Sequence, residues 1–222
     1  MITRIKQAKL PQDIILCTTN LPEDRVFDVV VARCQIKVIN GHPTDILQRW
    51  LDAADKLGVD YFISAEADDV FCDPGYIDKL IPILQSDQYD YINFEGLPFG
   101  VTPTGINVEA LRKICSLKKD VDTEGQERFF TKTGLFRVRH FQVKKTGIMN
   151  QNLRMTLDYR EDYDFFKEVF AHLYQPGKHF TLNEILQLLK DYPEIAKINW
   201  KMQDAYTQRY NEKYNPKDLL RV

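Results

Sequence analysis

Tyr61-Phe62-Ile63-Ser64-Ala65-Glu66-Ala67-Asp68 runs into Asp69-Val70-Phe71-Cys72-Asp73-Pro74, and the fold class turns on how this passage is read. The first residues are aromatic or β-branched, as in a strand; the middle is acidic; and Pro74 stands where a helix can begin without losing a useful N–H donor. Strand alternation over Tyr61 to Ala67 and beyond groups Ser64, Glu66 and Asp68 on one face. The helix that Pro74 opens is expected to reach Leu84, with Pro82 predicting a kink or an early end.

The same strand-then-helix pattern extends to both sides. Upstream, Ile14 to Thr18 is a continuous apolar run of the kind buried in a parallel sheet. Pro22-Glu23-Asp24 leads into helical spacing at Val26, Val29, Val30 and Ala32-Arg33, and Ile36 to Ile39 is a second short strand. Thr44 can cap a helix with Leu47, Trp50, Leu51, Ala54 and Leu57 on one stripe, which Gly58 stops. Downstream, Tyr91 to Phe94 is another strand, Gly96 to Gly105 reads as a long functional loop, and a helix follows at about Val108 to Cys115. Repeated strand and helix units with short connections imply an α/β fold, with a mostly parallel central sheet between helical layers.

Beyond the loop, Leu135 to Val143 alternates as a strand, Lys144 to Asn152 reads as a loop, and Leu153 to Asp158 reads as a strand with Arg154, Thr156 and Asp158 on one face. A helix is expected from Glu161 to Tyr174. Thr181 with Glu184 forms a capping box, opening a helical end over about 181–222 whose last helix starts near Asn199 and frays. With 222 residues, 44% of them hydrophobic and 28% charged, the chain suits one domain spanning 1–222.

Composition excludes several classes. A net charge of −2 supplies no general attraction for nucleic acid or an anionic membrane. Cys17, Cys34, Cys72 and Cys115 form no CxxC pair and stand near no histidine at zinc spacing, so reduced thiols in the cytoplasm are expected. No apolar run approaches the roughly 20 residues of a membrane helix. His42, His140, His172 and His179 show no nucleophile-triad pattern, Phe129-Phe130, Phe165-Phe166 and Phe170 suit a core, and Lys118-Lys119 and Lys144-Lys145 read as solvated pairs.

In an open α/β sheet, ligands lie outside the carboxyl ends of the strands, which singles out Asp68 and Asp158. If the two meet, they offer hard carboxylate oxygens of the kind that hold magnesium together with water and phosphates. Spacing alone leaves the plainer reading open: Asp68, Asp69 and Asp73 as turn and cap acids, and Asp158, Glu161 and Asp162 at a helix N-terminus.

Longer motifs narrow the choice. Leu153-Arg-Met-Thr-Leu-Asp-Tyr-Arg-Glu-Asp162, Phe180-Thr-Leu-Asn-Glu-Ile-Leu-Gln-Leu-Leu189 and Pro193-Glu-Ile-Ala-Lys-Ile-Asn199 resemble the C-terminal part of cytidylyltransferases of the spore coat polysaccharide biosynthesis type, relatives of the CMP-sugar synthetases. Ile14 to Thr18 with Pro22-Glu23-Asp24, Gly41 with Asp45-Ile-Leu-Gln-Arg49, Asp68 with Asp73-Pro74, and Pro103-Thr-Gly-Ile-Asn-Val-Glu109 fall in the family's order, so the resemblance covers nearly the whole chain. It implies a Rossmann-like nucleotidyltransferase fold and transfer of CMP from CTP to a sugar with release of pyrophosphate, in surface polysaccharide biosynthesis. It also implies Mg2+ on Asp68 and Asp158 as the catalytic centre, nucleotide binding by Thr18, Asp45 and Arg49, and sugar binding by Thr104, Gly105, Asn107 and Arg154. A homodimer stays open.

Each of these residues also has a local reading: Thr18 as a strand end, Asp45 as a first-turn helix acid, Arg49 as its i,i+4 partner, and Gly105 as a turn glycine. Two departures from the family pattern matter. The family's first strand and its glycine-containing basic phosphate loop have no counterpart; Met1-Ile2-Thr3-Arg4-Ile5-Lys6 resembles the helix after that loop. The family's Arg-x-Thr-Ala-Asp-Cys-Pro is replaced by Ser64-Ala-Glu66-Ala-Asp68-Asp69-Val70, which is more acidic, favouring a metal over a bare anionic sugar. Two alternatives stand beside CMP transfer: a metal-dependent glycosyltransferase using a nucleotide sugar through Glu66-Ala-Asp68-Asp69, and a non-catalytic nucleotide-binding or partner subunit.

Overall fold

The computed structural model describes residues 1–119, 121–145, 147–150, 152–213 and 219–220. Strands β1 (Ile15–Thr19) and β2 (Lys37–Gly41) pair in parallel, Cys17 opposite Ile39. A second sheet has the order β3-β5-β4-β6, from β3 (Tyr61–Ser64), β4 (Tyr91–Glu95), β5 (Thr104–Asn107) and β6 (Val138–Gln142). β3, β4 and β6 run the same way, while β5 runs against its neighbours β3 and β4. The sheet is therefore partly parallel rather than mostly parallel as expected, with one reversed strand in a stretch that the sequence reading gave largely to a loop.

That reversal has a topological cause. Parallel neighbours need a crossover of a dozen or more residues, usually a helix. Residues 96–103 between β4 and β5 contain none, so the chain can only return antiparallel. Gly105 is thus a sheet residue: a Cβ there would lie 2.7 Å from Ile92 Cγ1 and 2.9 Å from Leu84 Cδ1.

Strand alternation builds the layers. Phe62, Tyr91 and Ile106 face α3 (Ile46–Leu57) and α5 (Val108–Leu117), packing with Leu47, Leu51, Leu111 and Ile114. Ile63 and Ile92 face α4 (Pro74–Gln85) through Leu80 and Leu84. Contrary to the expectation from Pro82, α4 continues through the proline to Gln85. Ile77, Leu80, Ile81 and Leu84 are all buried, and at about 1.5–3 kcal/mol each their burial outweighs the ~3 kcal/mol cost of an internal proline.

The cap of α3 is Asp45 rather than Thr44: its Oδ1 accepts the Gln48 amide at 3.1 Å, while the Thr44 hydroxyl donates to the Val121 carbonyl at 2.9 Å. Gly58, at φ 64°, ends that helix as expected. Upstream lie α1 (Ile2–Ile5), where the family helix was expected, and α2 (Val26–Cys34) after a 3-10 turn at Pro22–Arg25.

Leu153 to Asp158 does not form a strand. It makes one parallel bridge, Phe99 with Arg154, supported by Phe99 N–H to Leu153 O at 3.0 Å and Met155 N–H to Phe99 O at 2.7 Å. Leu153, Arg154, Met155 and Thr156 are all buried, so no alternation survives. The segment is squeezed between the sheet and the C-terminal helices. Gly100 permits this approach, with φ 88° and a Cβ position only 2.5 Å from the Met155 carbonyl.

The C-terminal part consists of α6 (Glu127–Thr131), then α7 (Arg160–Leu173), α8 (Leu182–Asp191), α9 (Pro193–Lys197) and α10 (Met202–Lys213). Thr181 and Glu184 form the expected capping box, the Glu184 amide donating to the Thr181 hydroxyl at 3.2 Å and Thr181 N–H to Glu184 Oε2 at 2.7 Å. Phe71, Met155, Phe165, Phe166, Val169, Ile185 and Leu189 form the core of this part. The expected loop at Lys144 to Asn152 carries a 3-10 turn at Gly147–Asn150, with residues 146 and 151 outside the described ones. The expected frayed tail falls at 214–218 and 221–222, also outside them. Among the described residues no helix is long and apolar enough to cross a membrane.

Candidate active site

Past Ser64 the chain leaves the sheet and turns through residues 65–73, where hydrogen bonds from Asp69 N–H to Glu66 O (3.1 Å) and Cys72 N–H to Asp69 O (2.9 Å) fold it back before α4. The Asp68 carbonyl accepts the Leu157 amide at 3.1 Å. This ties the acidic turn to the residue just before Asp158, so the two acids separated by most of the fold stand at one place. Asp68 is exposed; the protein packed around it and then the Asp158 charge raise its carboxyl above the usual range. Asp69 beside it is half-buried, accepts a hydrogen bond from Thr156, and is pushed up to about 7 by burial first and Asp68 second.

Asp158 is held from the other side. Arg154, its side chain wholly buried, donates through Nη2 to Asp158 Oδ2 and through Nε and Nη2 to Asp162 at 2.9 and 3.0 Å. Asp162 also accepts the amides of Asp158 and Tyr159, both at 2.9 Å, and Asn199 Nδ2 at 2.8 Å. Burial alone would raise Asp162, but these bonds outweigh it and keep the carboxyl below its ordinary value. Asn199 closes the lattice by donating to the Arg154 carbonyl at 3.1 Å. Arg154 therefore has its donors directed at Asp158, Asp162 and Gln203 (3.2 Å), which makes it the support of Asp158 rather than an open hand for a sugar.

A second group adjoins the first through Glu66. Thr18, buried near the end of β1, donates to Asp24 Oδ2 at 3.0 Å, and Asp24 also accepts the Thr19 hydroxyl and amide, which pull its carboxyl below the usual range. Arg49 acts electrostatically on Asp24, Cys17 and Glu66. Its Nη1 donates to the His42 carbonyl at 2.7 Å, while its Nε is buried without a partner among the described residues. Glu66 accepts Ser64 Oγ at 2.8 Å and Gln126 Nε2 at 3.1 Å, and its crowded position raises its carboxyl.

Three expected site residues sit elsewhere. Asp45 is buried, capping α3 and paired with Lys118 and Thr123 rather than with Arg49. Lys118, expected to be solvated, is buried in that ion pair. Thr104 lies opposite Ser64 at the acidic end of the sheet, but Gly105 is packed inside it. Asn107 is at the far end opposite Tyr61, where it caps α5 by accepting the Ala110 amide at 3.1 Å. A groove of about 1040 Å³ between Asp60, Asn107 and Arg137 opens at that far end, away from Asp68.

Among the described residues no group of three or more His, Cys, Asp or Glu could by itself hold a metal ion; the Asp68 and Asp158 carboxylates offer hard oxygens of the kind that hold a cation keeping waters and phosphate oxygens, as Mg2+ does. The residues present therefore fit that ion.

Solved structures share the fold described above. A cytidylyltransferase from Leptospira borgpetersenii superposes with a TM-score of 0.77 at 19% identity, covering 88% of this chain and 83% of its own. The chain has the cytidylyltransferase fold. The CMP:2-keto-3-deoxy-manno-octonic acid synthetase solved with CTP shares it at a TM-score of 0.58 and 14% identity, over 78% of this chain and 86% of that one. In sequence, the spore coat polysaccharide biosynthesis protein SpsF of Bacillus subtilis is 21% identical over 206 residues, 88% of this chain and 84% of SpsF. An uncharacterized Methanocaldococcus jannaschii protein is 23% identical over 206 residues, covering 90% and 82%. No protein-family profile matches the chain. Asp162, Asn199 and Asp69 join this candidate site although the sequence reading gave them no role in CMP transfer, whereas Thr156 lies on the face that alternation had grouped with Asp158. The i,i+4,i+8 run Arg154, Asp158, Asp162 was the available signal.

Proposed function

We propose that the protein transfers CMP from CTP to a sugar, releasing pyrophosphate, in the synthesis of a surface polysaccharide. The observation that carries this reading is the junction of Asp68 and Asp158 through the Leu157 amide. The Asp158 charge raises the Asp68 carboxyl, as repulsion between two carboxylates does, and a divalent cation between them would relieve that repulsion. Mg2+ bound there supplies Lewis-acid polarisation of a phosphate and charge neutralisation on leaving pyrophosphate.

The protein's own contribution is placement. Arg154 and Asp162 hold Asp158 in one rotamer, and Thr156 steadies Asp69. Arg49, whose Nε has no partner among the described residues and whose charge acts on Cys17 in β1 and on Asp24, the acceptor of the Thr18 hydroxyl, is the cation best set to meet the nucleotide. Reaction then depends on orientation and electrostatics more than on covalent chemistry.

The test is incubation of the full chain with CTP, Mg2+ and a panel of sugars, including acidic ones, with pyrophosphate release as readout. Release that requires both CTP and one sugar supports the reading. Silence across the panel overturns it; turnover of a UDP-sugar with Mn2+ instead would point to glycosyl transfer, and CTP binding without turnover to a non-catalytic role.

A further inference from the structure

Helix α10 runs beside Asp158, and none of its own residues is buried. It is held by a ring contact between Tyr206 and Phe99 (5.2 Å), by Gln203 on Arg154, by Tyr210 on Glu127 (3.3 Å) and by Lys213 on Glu124. From its middle, Arg209 reaches Asp158: Nη2 lies 3.4 Å from Oδ1, the oxygen that Arg154 does not occupy.

The two arginines on Asp158 are built differently. Arg154 is buried and matched by a second carboxylate, Asp162. Arg209 is 55% exposed, makes one long bond, and keeps its place by lying against the rings of Tyr159 (5.4 Å) and Tyr206 (5.6 Å). A cation held by ring faces can release its carboxylate without losing its position. Loss of that single exposed pair costs little, about 0–1 kcal/mol.

We propose that Arg209 is an exchangeable counter-ion that specifies a metal-bound phosphate. In the free protein it covers Asp158 Oδ1. Asp158 would hold a divalent cation, and the guanidinium, kept on its two tyrosines, would then have its donors free for a phosphate oxygen of the nucleotide, for which a planar fork of N–H groups is well shaped. The inference rests on the reading of Asp68 and Asp158 as the cation pair, and it adds a residue from the C-terminal helix to that site.

The two halves of the exchange have opposite signs, which makes the test decisive. Mn2+ binding without nucleotide, and CTP binding at saturating Mn2+, are measured by calorimetry on the full chain for wild type, R209M and R209K. R209M keeps the stem against the tyrosines and is expected to bind Mn2+ alone about 2- to 5-fold tighter, since a competing cation is gone. It is expected to bind CTP about 10- to 100-fold more weakly, since a charged hydrogen bond is lost, with R209K between the two. A merely structural role for Arg209 would weaken both together. R209M and R209K that move both affinities in the same direction, or neither, overturn the proposal while leaving the reading of the acids in place. A wild type that binds neither Mn2+ nor CTP overturns that reading and this inference with it.

Discussion

The amide of Leu157 donates to the carbonyl of Asp68 at 3.1 Å, and this one backbone bond joins the turn after β3 to the segment that carries Asp158. The two segments that carry the acids are thereby joined through main chain, while the Asp158 carboxylate itself is held by Arg154. Substituting either acid should remove function without removing the fold. D68N and D158N are expected to lower pyrophosphate release by at least about 100-fold if each supplies a metal oxygen, the range seen for loss of one preorganised charged group. D68N should melt at or slightly above the wild-type temperature, because Asp68 is held above its ordinary pKa in the fold. Circular dichroism melts alongside the activity assay separate the two effects; parallel loss of fold and activity would contradict the assignment.

Arg154 has a different signature. It is buried between Asp158 and Asp162, and truncating it leaves Asp162 inside the protein with its amide donors and Asn199 but no cation. R154A is expected to destabilise by about 3–5 kcal/mol, the cost of breaking a buried ion pair from one side. Urea unfolding would show this as a lowered midpoint. A stable R154A that lost only affinity for sugar would instead favour the direct sugar contact that the sequence resemblance implied.

Much of this arrangement was legible in the letters, and the failures share a cause. The continuous apolar run before Thr18, the Gly58 stop, and the Thr181–Glu184 box each depend on neighbours a few residues away, and each formed as expected. β5 was missed because its partner strands are brought to it by tertiary topology, and its Thr-Gly-Ile-Asn composition resembles a turn. Leu153 to Asp158 looked alternating, yet tertiary packing buries successive residues from Leu153 to Thr156 on both faces. Among site residues, Asp68 and Asp158 stood out because acids at element ends are conspicuous. Asp45 looked equally conspicuous, but its partner Lys118 lies in another part of the chain, and no local pattern could show that the pair is spent on each other.

Gly105 tests the corrected placement directly. A methyl group there would come within 3 Å of both Ile92 and Leu84, so α4 would have to move away from the sheet. G105A is expected to cost about 1–3 kcal/mol by overpacking, read as a lower urea midpoint, while the sugar KM stays unchanged. A raised sugar KM at unchanged stability would return Gly105 to the substrate site.

Asp69 makes the protein's stability depend on pH in a particular direction. Its carboxyl is raised from 3.8 to about 7 by burial and by Asp68, so between those values the folded state binds a proton that the unfolded state has released. Stability therefore falls as pH rises through that window, by at most about 1.4 kcal/mol per pH unit for one such group. Above about pH 7 both states are ionised, and the penalty is constant. D69N, which cannot ionise and still accepts the Thr156 hydroxyl, is expected to flatten the profile and to exceed wild type in stability at pH 8. Melting curves from pH 4.5 to 8 in EDTA isolate this contribution from bound metal. A wild-type melting temperature that climbs steadily toward pH 7, with D69N following the same curve, would show that Asp69 is ionised throughout and that its surroundings are wetter than their packing indicates.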